Sequence, residues 1–168
     1  VPKSLSCHLR LDRALSARLS ALMGSPNIGA RRAAEFNHRG FWAVFSERHP
    51  GEAALRARHG PWFWQRGLPH LEMVITMYVA PEPNLVGVFF GRNEKLGAVA
   101  VEQRLKPHHA AIQAQLKLSP DQRSQGPLGA IWRVNCFAED NWPAMSDWLV
   151  TEASRFQHAV CSVLGESG

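Results

Sequence analysis

The stretch from Leu71 to Leu105 constrains this chain more than any other. It holds three apolar runs, Leu71–Val79, Leu85–Gly91 and Leu96–Val101, separated by Ala80-Pro-Glu-Pro-Asn84 and Arg92-Asn-Glu-Lys95. Short apolar runs bounded by Pro, Gly and Asn are strand signals, and the two linkers are short enough for hairpins. The pattern predicts an antiparallel meander over 71–79, 85–91 and 96–102. In the first run Leu71, Met73, Ile75, Met77 and Val79 share one face, and Glu72, Val74, Thr76 and Tyr78 share the other. A helix capped by Asn93 competes for the third run. Gly97, the Val-Ala-Val alternation and Pro107 argue for strand instead.

The flanks supply the cover for this sheet. Leu11, Leu15, Leu19 and Leu22 form one apolar stripe within Leu9–Met23, a helical spacing, with Arg10, Arg13 and Arg18 read as off the stripe. A second helix is expected from about Ala30 to Arg48, carrying Phe36, Phe41, Trp42 and Phe45, with Gly40 as its weak point. Glu52–His59 reads as a further helical turn or two. Gly60-Pro-Trp-Phe-Trp-Gln-Arg-Gly67 reads as a loop packed by its own aromatics. Pro107 suits the start of a helix over His108–Leu118 that buries Ile112 and Leu116. Ala130–Phe137 is the fourth expected strand. Asp140-Asn-Trp-Pro143 opens a last helix reaching about Leu164, with Met145, Trp148, Leu149, Phe156, Val160 and Val163 as its stripe. The expected class is α+β: a four-stranded antiparallel sheet, a meander plus one strand, covered by helices on one face. Residues 1–28 form a basic N-terminal helical arm and residues 29–168 a single domain in this reading.

Composition narrows the partners. Apolar residues make up 45% of the 168, enough for a core of ordinary size. No apolar run approaches the roughly 20 residues that span a bilayer, so no membrane partner is expected. Three widely spaced cysteines, Cys7, Cys136 and Cys161, make no disulfide framework and fit a reducing, cytoplasmic setting. Charge is uneven. Residues 1–70 hold eleven Arg and Lys against four acids, whereas residues 71–168 hold eight against ten. Such asymmetry points to a polyanionic partner for the basic half, most simply nucleic acid.

From about Phe36 onward the chain resembles a bacterial family, domain of unknown function family 4268. The resemblance is carried by Phe41-Trp42 and by the aromatic loop before the meander. It continues through Gln103-Arg-Leu105, Ile112-Gln-Ala-Gln-Leu116, Trp132-Arg133, Asn141-Trp-Pro143, Asp147-Trp-Leu149 and Phe156. It implies a bacterial domain that accompanies restriction-endonuclease-like modules, with no catalytic motif of its own.

No catalytic constellation stands out. Glu102-Gln103-Arg104 lacks the Asp and Lys partners of a Mg²⁺-dependent nuclease site. His108 and His109 are adjacent and diverge on a helix, and His158 with Cys161 supplies only two ligands. No Gly-rich phosphate loop or nucleophile elbow is present. The leading expectation is therefore a non-catalytic binding or accessory domain near nucleic acid, with no cofactor and no metal. Its candidate binding residues are Arg31, Arg32, Arg39, Trp62, Trp64 and Arg66: arginine forks match phosphate, and aromatics beside them can stack bases. A metal-dependent hydrolase with an unseen site, and a protein-interaction or homo-oligomerisation module, are the alternatives.

Overall fold

Near the start of the described residues stands a short helix whose sequence dictates both of its ends. Helix α1, His38–Arg48, starts where the Asn37 side chain accepts the Gly40 N–H at 2.9 Å. Gly40 is needed there, because an added Cβ would lie 2.4 Å from the capping Asn37 amide. His49 and Pro50 end α1, and α2 follows over Gly51–Leu55. Then come β1, Arg56–His59; β2, Phe63–Leu68; β3, Met73–Ala80; β4, Leu85–Arg92; α3, Ala98–Leu105; α4, His109–Leu116; β5, Gly129–Arg133; and α5, Trp142–Leu164. The computed structural model describes residues 35–92, 98–123 and 128–165. The expected helix over 9–23 and the arm as a whole lie outside the described residues.

The α+β class holds: one antiparallel sheet with helices on one face. The sheet has five strands in the order β1-β2-β3-β4-β5, each antiparallel to its neighbour. Met73, Ile75, Met77 and Val79 of β3 point to the helices, as the alternation predicts. They pack with Trp64, Leu68, Val86, Val88 and Ala130 against Phe41, Trp42 and Phe45 of α1 and Met145, Leu149, Ala153 and Phe156 of α5. Each of the larger aliphatic and Phe side chains among them, once removed from water, stabilises the fold by about 1.5–3 kcal/mol before chain entropy is counted. Helix α5 carries Pro143 in its first turn and stops at Gly165, whose φ of 75° suits glycine. Trp148, expected on the core stripe, is only half-buried and packs its ring 6.0 Å from that of Trp132.

The third expected strand is not there. Ala98–Leu105 is helix α3, which contradicts the strand reading of 96–102. The deciding pair is Val101 and Leu105, both buried and four residues apart, with Glu102, Gln103 and Arg104 exposed between them. Arg104 fixes the helix by donating to the Leu71 carbonyl at 2.8 Å. Pro107 does not end the helical layer. It sits inside a single 3₁₀ turn, Lys106–His108, and α4 continues with Ile112 and Leu116 buried. The stretch read as a helical turn and an aromatic loop also differs. Arg56–His59 and Phe63–Leu68 form the β1–β2 hairpin, so the meander extends ahead of Leu71 rather than beyond Gly91. The last strand is shorter than expected, ending at Arg133. Beyond it Asn84 takes over the chain: its carbonyl accepts the Val134 N–H at 2.9 Å and its side chain the Cys136 N–H at 3.2 Å.

One buried acid sits uneasily in the helical layer. Glu152 of α5 is 4% exposed, its Oε1 accepts from Arg155 at 3.0 Å, and its Oε2 has no hydrogen-bond partner. Burial holds its carboxyl above the usual carboxylate range, and Arg155 offsets this only in part. The native state therefore binds this proton more readily than the unfolded chain does. Its stabilising contribution is full in acid and is lost as pH rises from the unfolded value of 4.5 through the raised native one. Glu152→Gln is expected to raise the thermal midpoint at pH 7, by a margin on the order of 1 kcal/mol for one relieved buried group. The gain should shrink as the pH of the melt is lowered toward 4, and an unchanged gain at both pH values would show that the carboxyl is not the cause.

Candidate functional site

Basic character gathers at one edge of the sheet, and local sequence explains why. Residues 53–71 hold three arginines and two histidines and no acid. They fold as the β1–β2 hairpin, and β1 is the terminal strand of the sheet. The turn is tight: Gly60 donates to the Phe63 carbonyl at 2.9 Å, and a Cβ on Gly60 would strike the Phe63 ring at 2.7 Å. Helix α1 is pinned to this turn, since the Trp42 indole N–H donates to the Pro61 carbonyl at 2.9 Å. His38 packs edge-on to Trp62 with ring centroids 3.6 Å apart. Arg39, the next residue of α1, is exposed.

The corner has a layered build. Trp64 lies in the core against Trp42 and Phe45. Over its outer side stand Arg56, with the guanidinium carbon 5.3 Å from the ring centroid, and His59, stacked at 5.7 Å. Both Arg56 and His59 are exposed. The cation–π contact holds the Arg56 stem while leaving its donors facing water. His38 is different. Burial lowers its pKa, with the Pro61 backbone opposing in part, so it is a neutral packing group rather than a cation.

The six candidate binding residues separate clearly. Arg31 and Arg32 lie outside the described residues. Arg39 is exposed on α1 and Trp62 is half-buried at the hairpin turn. Trp64 and Arg66 do not fit the expected role: both are interior, at 4% and 3% exposure. Arg66 points inward because β2 is a strand, which places it with Trp64 and Leu68 on the helix side of the sheet. There its guanidinium forms a two-pronged pair with Glu52, at 3.0 and 2.5 Å, and donates to Ser154 and Gln157 of α5. Arg48 is likewise engaged, by Asp147 of α5 at 2.6 Å, a pairing that holds the Asp147 carboxyl below its usual range. Among the described residues of the basic half, Arg39 and Arg56 have no acidic partner. Arg56 and His59 were missed from sequence. Their signal was the acid-free Arg56-Ala-Arg-His59 run directly before a Gly-Pro turn.

Elsewhere the chemistry is sparse. Burial pushes the Cys136 thiol up to about 12, so it is an inert packed group. Glu102, His108 and Asp140 do not converge, and among the described residues no three His, Cys, Asp or Glu side chains form a group able to hold a metal ion. No helix among the described residues is long and apolar enough to cross a membrane. Comparison of the chain with family models, with curated proteins and with solved structures finds no match.

Proposed function

We propose that this chain is a non-catalytic binding or accessory domain that contacts the phosphate backbone of a nucleic acid through the β1 edge and its turn. The observation that carries the reading is the separation of the arginines. Among the described residues, Arg48 and Arg66 are spent on Asp147 and Glu52, while Arg56, over Trp64 beside His59 on the edge strand, and Arg39, exposed on α1, have no acidic partner. The surplus of positive charge in residues 1–70 extends the same character into the arm, including Arg31 and Arg32. Binding of this kind is electrostatic, weakly selective for sequence and steeply dependent on salt.

Gel-shift titrations with single-stranded DNA, duplex DNA and RNA test this reading. At 50 mM salt a complex is expected with at least one of them, with a dissociation constant in the range of about 10⁻⁴–10⁻⁶ M or tighter. Raising salt to 200 mM should weaken it on the order of 10³-fold if about six phosphates are contacted. No complex with any of the three at low salt and protein concentrations of about 10⁻⁴ M would overturn the proposal.

A further inference from the structure

We infer that the nucleic acid this domain takes is double-stranded, held through the phosphates of its paired strands and not through its bases. This rests on the phosphate-binding reading and narrows its ligand class. Proteins that hold single strands combine a basic groove with open aromatic faces on which successive bases stack. The chain is not short of rings, with six tryptophans, eight phenylalanines and one tyrosine. All of them lie among the described residues, and none is exposed. Eight are buried outright, Trp64 among them. Each of the other seven, half-buried, meets a further ring. Trp132 and Trp148 pack on one another at 6.0 Å, and Tyr78 meets Phe89 edge-on at 5.6 Å. Phe90 lies 5.2 Å from Phe156, and Phe137 meets Phe36 edge-on at 6.1 Å. Trp62, at the β1–β2 turn, packs against His38 at 3.6 Å, and its carbonyl accepts the Val79 N–H at 3.0 Å, which ties it to β3.

At the basic edge itself the ring that bases would need is taken. Arg56 stands over Trp64 at 5.3 Å, and His59 is stacked on it at 5.7 Å. What remains outward is charge: Arg56 and His59 on the edge strand and Arg39 on α1, all exposed. His59 is one small ring already stacked, not a platform for successive bases. Residues 1–34 hold six Arg and Lys, one acid and no Phe, Trp or Tyr, so their sequence adds charge without rings. A surface that offers charge alone is stabilised by phosphates alone, and most where phosphates are densest. Duplex DNA carries one charge per about 1.7 Å of axis, and each phosphate neutralised adds about 0.9 to the salt slope, against about 0.7 on a single strand. The lone turn tryptophan and the Trp132–Trp148 pair, which lies at β5, the opposite end of the sheet from β1, do not change this balance.

Fluorescence anisotropy on the unaltered full chain tests this. The probes are a duplex of about 20 base pairs and each of its separate strands, made once in DNA and once in RNA, at about 50 mM salt. The sugar that binds more tightly identifies the source. For that sugar the duplex should bind at least about tenfold more tightly than either strand. Strands that bind as tightly as their duplex, or more tightly, would overturn the inference and leave phosphate binding standing. No complex with any probe would overturn the phosphate reading itself, and the inference with it. A second readout needs no duplex. A single strand whose central nucleotides are replaced by stable abasic analogues should bind within about twofold of the parent strand, because no base is gripped. A loss of about tenfold or more would show that bases stack on the protein, and would overturn the inference.

Discussion

Glu52→Ala is expected to destabilise the fold by about 3–5 kcal/mol, the scale on which one partner of a buried ion pair is missed. The pair is unusually closed: Arg66 is 3% exposed and Glu52 6%. Arg66 uses its Nε and one Nη on the carboxylate and its other Nη on Ser154 and Gln157. Removing the carboxylate leaves a guanidinium in the interior with neutral acceptors only. The double variant Glu52→Leu with Arg66→Met should recover most of the loss, because an apolar pair of similar volume avoids desolvating two charges. Urea midpoints of the three chains give the comparison. A single variant no worse than the double one would mean that water reaches Arg66.

Phe156→Ala is expected to cost a similar amount, about 3–5 kcal/mol, for a different reason. Phe156 is fully buried at the middle of α5, and its ring meets Phe90 of β4 at 5.2 Å. It joins the longest of the described helices to the centre of the sheet, and truncation leaves a cavity between two rigid layers. Trp148→Ala on the same helix should cost clearly less, since Trp148 is half-buried at the Trp132 border. Thermal midpoints in that order would place the core where the burial pattern places it. The reverse order would mean that α5 is docked on its other face.

These two sites also show where sequence reasoning succeeds and fails. The β3–β4 hairpin and helix α5 were legible because each is long and strongly periodic: Met73, Ile75, Met77 and Val79 alternate cleanly, and Met145, Leu149, Phe156 and Val160 keep helical spacing. Helix α3 was not legible, because Val-Ala-Val alternates over three residues and only the later Leu105 reveals the spacing that buries Val101. Gly97 and Pro107 then misled as breakers, although Pro107 needs only one 3₁₀ turn to pass. Strand β2 was hidden by its contents. Gly, Pro and charged Arg66 resemble a loop, and the strand is stable because Glu52, from a separate helix, meets Arg66 inside the protein. That pairing spans neighbouring elements and has no local signature. The same blindness affected the candidate site. The sequence marks Arg39, Arg56 and Arg66 as equally basic; Arg56 and Arg66 are direct cross-strand partners, and what separates them is that Arg66, one strand in, meets Glu52, whereas Arg56 on the edge strand stays exposed.

Arg39 and Arg56 are expected to bind phosphate. Fluorescence anisotropy of a labelled oligonucleotide, titrated with protein from 50 to 200 mM salt, measures this directly. The full chain should give a steep negative slope of log affinity against log salt. Arg39→Gln with Arg56→Gln removes two candidate phosphate contacts and keeps a polar side chain over Trp64. This variant should bind more weakly, with a slope flatter by about 1.8, roughly 0.9 for each phosphate lost on duplex DNA. Lys117→Gln with Arg123→Gln, outside the basic half, should change neither affinity nor slope. Equal slopes for the full chain and the Arg39/Arg56 variant would contradict the account.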